Sequence, residues 1–316
     1  MTVLLHDCDP GNDDALGILV AAGHAGLDLV AVTTAAGHLE ADRTARNAAI
    51  AVAATGRRDV AVAAGATRPL VRERLVAGVL DRERGLDRER PELAAVRLDP
   101  RHAATVLIDT ARAHPGLTVA ATGPLTNLAL ALRLDPGLAG RIGRLVVLGG
   151  AWGLGNKTAA AEWNVLSDPE AAHVVYGAGI PLTMIPVDGG AAVGIDEALT
   201  AGVAAIGGPV AAFAGELLAS LAATYRPGLF GPAAAPLNDP LAVLVAAEPG
   251  LARTVPARVD IELGQGVSYG RSVVDFAGRS GRPPNAEVAI AFDVAATSAA
   301  FVAALRRLAG TEPTGL

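Results

Sequence analysis

The sequence predicts an α/β protein with an open, mostly parallel, Rossmann-like sheet and helices on both faces. Two observations predict this fold. Short apolar runs alternate with longer helical patterns rich in Ala, Leu and Arg, and uninterrupted apolar strands between helices are typical of parallel sheets covered on both sides. In addition, 51% of the 316 residues are hydrophobic and 18% are charged, which allows a large buried core.

Each element follows from its local pattern. Apolar runs predict strands at residues 3–6, 29–34, 60–63, 118–121, 144–148 and 182–186. Helical patterns between them predict helices at residues 13–23, 41–54, 103–113, 125–132 and 169–176. Because no repeat, linker or low-complexity tail interrupts this alternation, we expect residues 1–316 to form one domain.

After residue 186 the pattern loosens. An Ala- and Gly-rich helical region extends to Tyr225, and a turn-rich stretch follows at residues 226–236. The remaining chain predicts a helix, three strands and a final helix at residues 240–247, 257–263, 272–275, 287–292 and 295–308. The charge-alternating stretch at residues 81–91 fits either a solvated loop or a lid over a site.

The charge composition argues against several classes of function. The formal net charge is −6 and no run is rich in Lys and Arg, so we expect no nucleic-acid polymer as a partner. Two long uncharged stretches, 115–132 and 198–215, are interrupted by Gly, Pro or polar residues, so we expect no membrane span. The single cysteine, Cys8, is expected to be a buried thiol in a reducing cytoplasm.

The strongest functional signal is a group of acids at the first predicted βα turn: Asp7, Asp9, Asp13 and Asp14. Carboxylates this close repel one another unless they share a cation or a proton, and hard divalent metals take oxygen ligands. The segment therefore predicts a metal site. Helix capping is the alternative, with Asn12 as the N-cap and two acids in the first helical turn, but it leaves the acids before the turn unexplained.

Further polar side chains follow the ends of other predicted strands, where doubly wound sheets bind ligands. They are Thr33, Thr34, His38, Thr122, Thr126, Asn127, Asn156, Glu162, Asn164, Asp168, Asn238 and Asp239. Singly, each has a structural explanation: Thr126, Asp168 and Asp239 as helix N-caps, and the residues near 160 in a solvent-exposed loop. Together they outline a crevice rich in carboxylates and amides, which favours a hydroxyl-rich ligand such as a sugar over a phosphate.

The run Asp-Cys-Asp-Pro-Gly-Asn-Asp-Asp-Ala at residues 7–15 resembles the N-terminal signature of the nucleoside hydrolases, the inosine–uridine-preferring ribohydrolase family. The resemblance covers nearly the whole chain, through residues 33–38, 122–127, 146–150, 156–173, 238–242, 270–275 and 281–285. It implies the nucleoside hydrolase fold and Ca²⁺-dependent hydrolysis of the N-glycosidic bond of ribonucleosides to free base and ribose. It also implies a role in purine or pyrimidine salvage and a cytoplasmic homodimer or homotetramer.

The resemblance also implies roles for matching residues. Three side-chain carboxylates and one backbone carbonyl would hold the Ca²⁺, from Asp9, Asp14, Asp239 and Thr122. Asp9 would in addition be the general base for a metal-bound water. The ribose contacts would come from Asp13, Asn156, Glu162, Trp163 and Asn164.

Three departures from the family pattern concern the nucleobase side. Asn238 stands where purine- and uridine-cleaving members carry the His that protonates or contacts the leaving base, and a neutral amide is a poor acid. Residues 81–83 read Asp-Arg-Glu where His-Gly-Glu is frequent, and His38 replaces an Asn beside the sugar. The residues left to contact the base are Glu83, His38, Tyr225 and Arg226, while Asn238 stays a substrate-binding residue without the acid function. We expect ribose chemistry with an unusual aglycone, or with a leaving group that needs little protonation.

Two alternatives stay open. A catalytically weak or silent ribose- or nucleoside-binding homologue would also account for Asn238. An Asp-x-Asp pattern after a first strand also marks phosphohydrolases that form an aspartyl-phosphate, although Pro10 and Gly11 intervene here and basic residues avoid the strand ends.

Overall fold

The sheet is mostly parallel, as the sequence predicts. The computed structural model describes residues 1–75, 86, 96–225 and 234–310, and within them nine strands follow the order β3-β2-β1-β4-β5-β6-β9-β7-β8. The strands are β1 (Thr2–Cys8), β2 (Leu27–Thr34), β3 (Ala61–Ala64), β4 (Leu117–Ala121), β5 (Ile142–Leu148), β6 (Leu182–Ile185), β7 (Ala252–Ile261), β8 (Ser272–Asp275) and β9 (Ala286–Phe292). Strands β1 to β6 and β9 pair in parallel, whereas β7 pairs antiparallel with β8 and β9.

The helices of the described residues are α1 (Asn12–Gly23), α2 (Ala41–Ala54), α3 (Ala103–Ala113), α4 (Thr126–Leu134), α5 (Trp163–Ser167), α6 (Pro169–Tyr176), α7 (Val187–Gly190), α8 (Glu197–Ala204), α9 (Gly208–Thr224), α10 (Asn238–Ala247) and α11 (Val294–Gly310). The helical region predicted before Tyr225 is interrupted. Gly207 and Gly208 adopt φ angles of 70° and 77°, a conformation that side chains disfavour, and they separate α8 from α9. Among the described residues, no helix is both long and apolar enough to cross a bilayer.

Alternate residues of the central strands face opposite layers of helices. Leu4 and the free thiol of Cys8 are buried in one apolar core with α1, α9, α10 and α11. Leu5, the neighbour of Leu4, lies in a second core with α3, α4 and α6. This alternation follows from the two-residue period of a strand, and it confirms that helices cover both faces.

The topology brings two strand ends together at the centre of the sheet. β1 lies between β2 and β4, so the strand order reverses between β1 and β4, where open α/β sheets form a ligand crevice. Asp9 follows β1 and Thr122 follows β4. On the same side, α1 approaches α10 at Gly17, where an added Cβ would lie 3.7 Å from the backbone of Asp239 and from the side chain of Val243. The tight contact at this glycine is with β1, because the same Cβ would lie only 3.0 Å from Cε1 of His6.

Candidate active site

Three carboxylates meet where α1 and α10 begin. Asp13, Asp14 and Asp239 each offer one oxygen, and these oxygens lie within 4.8 Å of one another. Burial raises the pKa of Asp14 and of Asp239 well above the ordinary value, and repulsion from neighbouring carboxylates raises it further. The pKa of Asp13 is raised as well, chiefly by burial. An oxygen-only donor set with this excess of negative charge fits a hard divalent cation.

Asp9 lies beside this cluster and is held between two glycines. Its Oδ2 accepts a hydrogen bond of 2.9 Å from the backbone N–H of His38 and lies 3.1 Å from Nδ1 of the same residue. An added Cβ at Gly37 would overlap Oδ2, and one at Gly123 would lie 2.7 Å from Oδ1. The two glycines therefore give the Asp9 carboxylate room and fix its orientation.

Thr122 links the acidic cluster to the other side of the crevice. Its Oγ1 donates a 2.7 Å hydrogen bond to Oδ1 of Asp14, and Nε2 of His6 lies 2.9 Å from the same hydroxyl. Its backbone carbonyl accepts a 2.7 Å hydrogen bond from Nδ2 of Asn164. The carbonyl expected to bind metal and a side chain expected to bind ribose are thus in direct contact.

The loop between β5 and α5 is more ordered than its sequence suggests. Glu162 and Asn164 are buried, so the alternative of a solvent-exposed loop does not apply to either. Glu162 is the N-cap of α5, and its carboxylate accepts hydrogen bonds of 2.9, 2.9 and 3.1 Å from the backbone N–H groups of Gly150, Asn164 and Val165. Asn156 is exposed and accepts a 2.9 Å hydrogen bond from the backbone N–H of Trp163. Backbone donors hold this loop against the strand end.

An aromatic stack closes the crevice beside Asp9. The rings of His38 and Trp163 are stacked, with centroids 4.2 Å apart and planes inclined by 19°, and Nζ of Lys157 lies 4.5 Å from the centroid of the Trp163 ring. Burial lowers the pKa of His38, but the hydrogen bond and charge of Asp9, with further nearby carboxylates, raise it overall. The stack fixes the imidazole while its Nδ1 faces the carboxylate.

Of the residues predicted for the nucleobase side, His38 contacts Asp9 directly, and Asn238 precedes Asp239 in the chain. Asn238 begins α10, and its Oδ1 is buried without a hydrogen-bond partner among the described residues. This oxygen points toward α7, since an added Cβ at Gly190 would lie 3.4 Å from it. Tyr225 follows α9, is half-buried and packs against the apolar core. Arg226 and Glu83 lie outside the described residues.

Several predicted helix caps are placed differently. Asn12 is not the N-cap of α1, which is Gly11; its Nδ2 instead donates a 2.9 Å hydrogen bond to Oγ of Ser220 on α9. Asp239 and Thr126 also lie inside the first turns of their helices: α10 begins two residues before its predicted start, and α4 begins one residue after it. Helix capping, the structural alternative for these three residues, therefore does not explain them; Asn12 and Thr126 instead bond to side chains on other helices.

The capping prediction for Asp168 is confirmed. It is the N-cap of α6, and its Oδ1 accepts a 3.0 Å hydrogen bond from the backbone N–H of Ala171. Its Oδ2 accepts a 2.7 Å hydrogen bond from the hydroxyl of Thr126. Asp168 therefore holds α4 and α6 together behind the crevice.

Two polar residues inside β1 have roles that the sequence did not predict: Asp7 was grouped with the metal-site acids, and His6 was given no role. Oδ1 of Asp7 accepts hydrogen bonds of 2.7 Å from Thr33 and 2.9 Å from Asn127, and burial raises its pKa to about 6. His6 is fully buried and contacts Thr122. The available signal was a polar side chain within an otherwise apolar strand, because buried polar groups require partners.

Comparison with known proteins identifies the family. The family described as inosine-uridine preferring nucleoside hydrolase matches residues 4–299. The chain belongs to this family. A pyrimidine-specific ribonucleoside hydrolase, RihA, from Citrobacter koseri is 38% identical over 293 residues, covering 92% of this chain and 93% of that protein.

Solved nucleoside hydrolases share the fold. The purine-preferring ribonucleoside hydrolase from Gardnerella vaginalis has a TM-score of 0.89 at 27% identity, covering 98% of this chain and 99% of that one. An inosine-guanosine nucleoside hydrolase has a TM-score of 0.85 at 25% identity, covering 99% and 100% of the two chains. The predicted family, the α/β fold and the enzyme class are confirmed, and the phosphohydrolase alternative is not supported.

The family assignment establishes the reaction in outline. This nucleoside hydrolase is an enzyme that cleaves the N-glycosidic bond of ribonucleosides, so its substrate is a small molecule. The family is metal-dependent in general, and the cluster of Asp13, Asp14 and Asp239 is an acidic site of the kind that such an enzyme requires.

Proposed function

We propose that this nucleoside hydrolase binds Ca²⁺ in the crevice between β1 and β4 and uses Asp9 as the general base. The observation that carries the proposal is the convergence of Asp13, Asp14 and Asp239 within 4.8 Å, next to the fixed carboxylate of Asp9. Calcium is the proposed ion because it binds oxygen ligands, several carboxylates among them, and tolerates irregular geometry. The proposed ligands are all oxygen atoms and include neither the thiolate nor the imidazole groups that favour zinc.

The ion would be held by four groups, from Asp9, Asp14, Asp239 and the backbone carbonyl of Thr122. A bound Ca²⁺ would orient the ribose diol and make a water molecule more acidic. Asp13 and Asn164 would bind ribose hydroxyls. The hydrogen bond from Asn164 to the carbonyl of Thr122 supports this arrangement, because it puts a sugar-binding amide beside a metal-binding oxygen.

Asp9 suits proton transfer because its two oxygens have different surroundings. Oδ2 is held by His38, which leaves Oδ1 to accept the proton of a water attacking the anomeric carbon. A carboxylate base is required since Ca²⁺ acidifies water less than zinc does. The surrounding carboxylates would stabilise the positive charge that develops on the ribose as the glycosidic bond breaks.

Departure of the base is the step for which the described residues offer no strong proton donor. Asn238 is a neutral amide, and burial raises the pKa of Tyr225, so neither side chain is a strong acid at neutral pH. We propose that the enzyme prefers aglycones that leave with little protonation. The names of the relatives span pyrimidine-specific and purine-preferring enzymes, so both kinds of nucleoside belong in the test.

The test is a reducing-sugar assay over uridine, cytidine, inosine and guanosine, with and without chelator. We expect ribose release from at least one nucleoside, loss of activity after chelation and recovery with added Ca²⁺. A rate of ribose release that is unchanged by the chelator would contradict the metal mechanism. Calcium-dependent nucleoside binding without ribose release would instead identify a silent binding homologue. Light scattering of the same sample tests the homodimer or homotetramer that we carry over from the family.

A further inference from the structure

A buried histidine lies directly behind the proposed metal site. His6 occupies β1, two residues before Cys8, and is fully buried. Its Cε1 would lie 3.0 Å from a Cβ added at Gly17 of α1, so the ring is wedged between the sheet and the helix that carries the acids. Burial lowers the pKa of His6 to about 3.

The hydrogen bonds around His6 form a directed chain. Thr122 donates its hydroxyl proton to Oδ1 of Asp14 at 2.7 Å, and this direction is required whenever Asp14 is ionised to bind a cation, because a carboxylate can only accept. The hydroxyl oxygen of Thr122 must then accept from Nε2 of His6, 2.9 Å away. The imidazole is consequently the Nε2–H tautomer. Its other nitrogen, Nδ1, is buried and has no partner among the described residues.

This chain bears on two of the four proposed metal ligands. The chain of hydrogen bonds orients the side chain of Asp14, which is one proposed ligand. It also holds the hydroxyl of Thr122, the residue whose backbone carbonyl is another proposed ligand. Dipoles aligned in a hydrogen-bonded chain strengthen one another in a buried site. Partners behind the ligands of a metal site orient them and raise metal affinity.

We infer that His6 is a positioning residue for the metal site, acting through Thr122 on Asp14. The inference rests on the proposed function, since it requires that these residues bind Ca²⁺. In this role His6 would contact neither the ion nor the substrate. Its contribution is an N–H donor that holds the Thr122 hydroxyl in the orientation required by Asp14.

The test compares Ca²⁺ affinity in His6→Leu, His6→Gln and the wild type, measured by calorimetry on the intact protein. Leucine fills the apolar site without donating a hydrogen bond, and we expect affinity to fall by roughly 10–100-fold. Glutamine places an N–H donor at about the reach of Nε2, so His6→Gln should recover most of the affinity. His24→Leu is the matched control, because His24 is buried but bonds to Glu248, away from the site.

Thr122→Val provides a second arm that leaves His6 in place. It removes the hydroxyl while keeping the backbone carbonyl, so it should weaken Ca²⁺ binding, and His6→Leu added to it should have little further effect. In the Ca²⁺-loaded wild type, ¹⁵N NMR should show the His6 proton on Nε2. A proton on Nδ1, or equal Ca²⁺ affinity in His6→Leu and wild type, would overturn the inference alone. No Ca²⁺ binding by the wild type would overturn the proposed function as well.

Discussion

The backbone nitrogen and the ring Nδ1 of His38 both contact one oxygen of Asp9, at 2.9 Å and 3.1 Å from Oδ2. The second oxygen of Asp9 faces Gly123, a residue with no side chain to obstruct it. The carboxylate is therefore asymmetric, with one oxygen anchored and one available. This asymmetry is the basis of two predictions.

Replacing Asp9 with Asn should abolish most of the activity. The amide keeps an oxygen for the metal but cannot accept a proton, and loss of a general base costs about 10²–10⁴-fold in kcat. The measurement is kcat at saturating Ca²⁺ and nucleoside. Thermal unfolding with and without Ca²⁺ serves as the control, and a preserved Ca²⁺-induced rise in Tm would show that the fold and site survive. A variant with wild-type kcat would contradict the role of Asp9.

Replacing His38 should affect turnover more than substrate binding. His38→Ala loses the ring contact with Asp9 and the stack on Trp163 but keeps the backbone N–H, so we expect kcat to fall by about 10-fold or more, the range of a hydrogen bond to a charged group. His38→Asn restores a side-chain N–H close to the position of Nδ1 and should retain more activity. Equal kcat in the Ala and Asn variants would show that the ring contact is unimportant.

The sequence predicted the sheet and the place of the crevice because both depend on local patterns. Apolar runs define β1 and β4, and the reversal of strand order then requires their ends to be adjacent. Acids distant in sequence, such as Asp14 and Asp239, consequently meet at one edge. The family motifs added roles for individual residues that spacing alone does not supply.

The parts that sequence reasoning missed depend on tertiary contacts. Glu162 looked like an exposed loop residue, but its buried carboxylate accepts hydrogen bonds from three backbone N–H groups in two segments. Asn12 looked like a cap, but its amide bonds to Ser220, which is far away in the sequence. Asp7 looked like a member of the metal-site acids, but its carboxylate bonds to Thr33 and Asn127, and His6 had no predicted role until its contact with Thr122 was seen. Propensity describes the chain locally and does not identify such partners.

Calcium binding should release protons, and its affinity should rise with pH. Burial and mutual repulsion raise the pKa of Asp14 and Asp239, so the metal-free site retains protons that the ion must displace. Calorimetry in buffers of different ionisation enthalpy measures the number released. Asp239→Asn should release fewer protons and bind Ca²⁺ more weakly. Heats of binding that are independent of the buffer would contradict the prediction.

Asp7 should make the chelated protein less stable as pH rises. Its pKa is raised from 3.8 to about 6, so the folded state favours the protonated acid. That contribution is complete below about pH 4 and is lost as pH rises through 6; for a fully buried group it amounts to at most about 3 kcal/mol.

Asp7→Asn is the variant that tests this pH dependence. Its side-chain oxygen can still accept hydrogen bonds from Thr33 and Asn127, and it does not titrate. Urea unfolding between pH 4 and 7 in the presence of chelator should therefore show a smaller loss of stability than in the wild type. If the free energy of unfolding depended on pH identically in the two proteins, the loss of stability would have to come from groups other than Asp7. Asp59→Asn is a suitable control, since Arg57 lowers the pKa of the largely exposed Asp59.

Replacing Asn238 with His should broaden the range of leaving groups. An imidazole has an ordinary pKa of about 6.5 and can donate a proton to a departing base, whereas the amide cannot. We expect kcat/KM to rise for inosine, with little change for p-nitrophenyl riboside, whose phenolate leaves readily without protonation. Asn238→Gln keeps a neutral amide and is the matched control for altered size. Because both substrates share the ribose and the metal, the ratio of their kcat/KM values isolates the leaving-group step. A ratio unchanged by His would show that position 238 does not limit departure of the base.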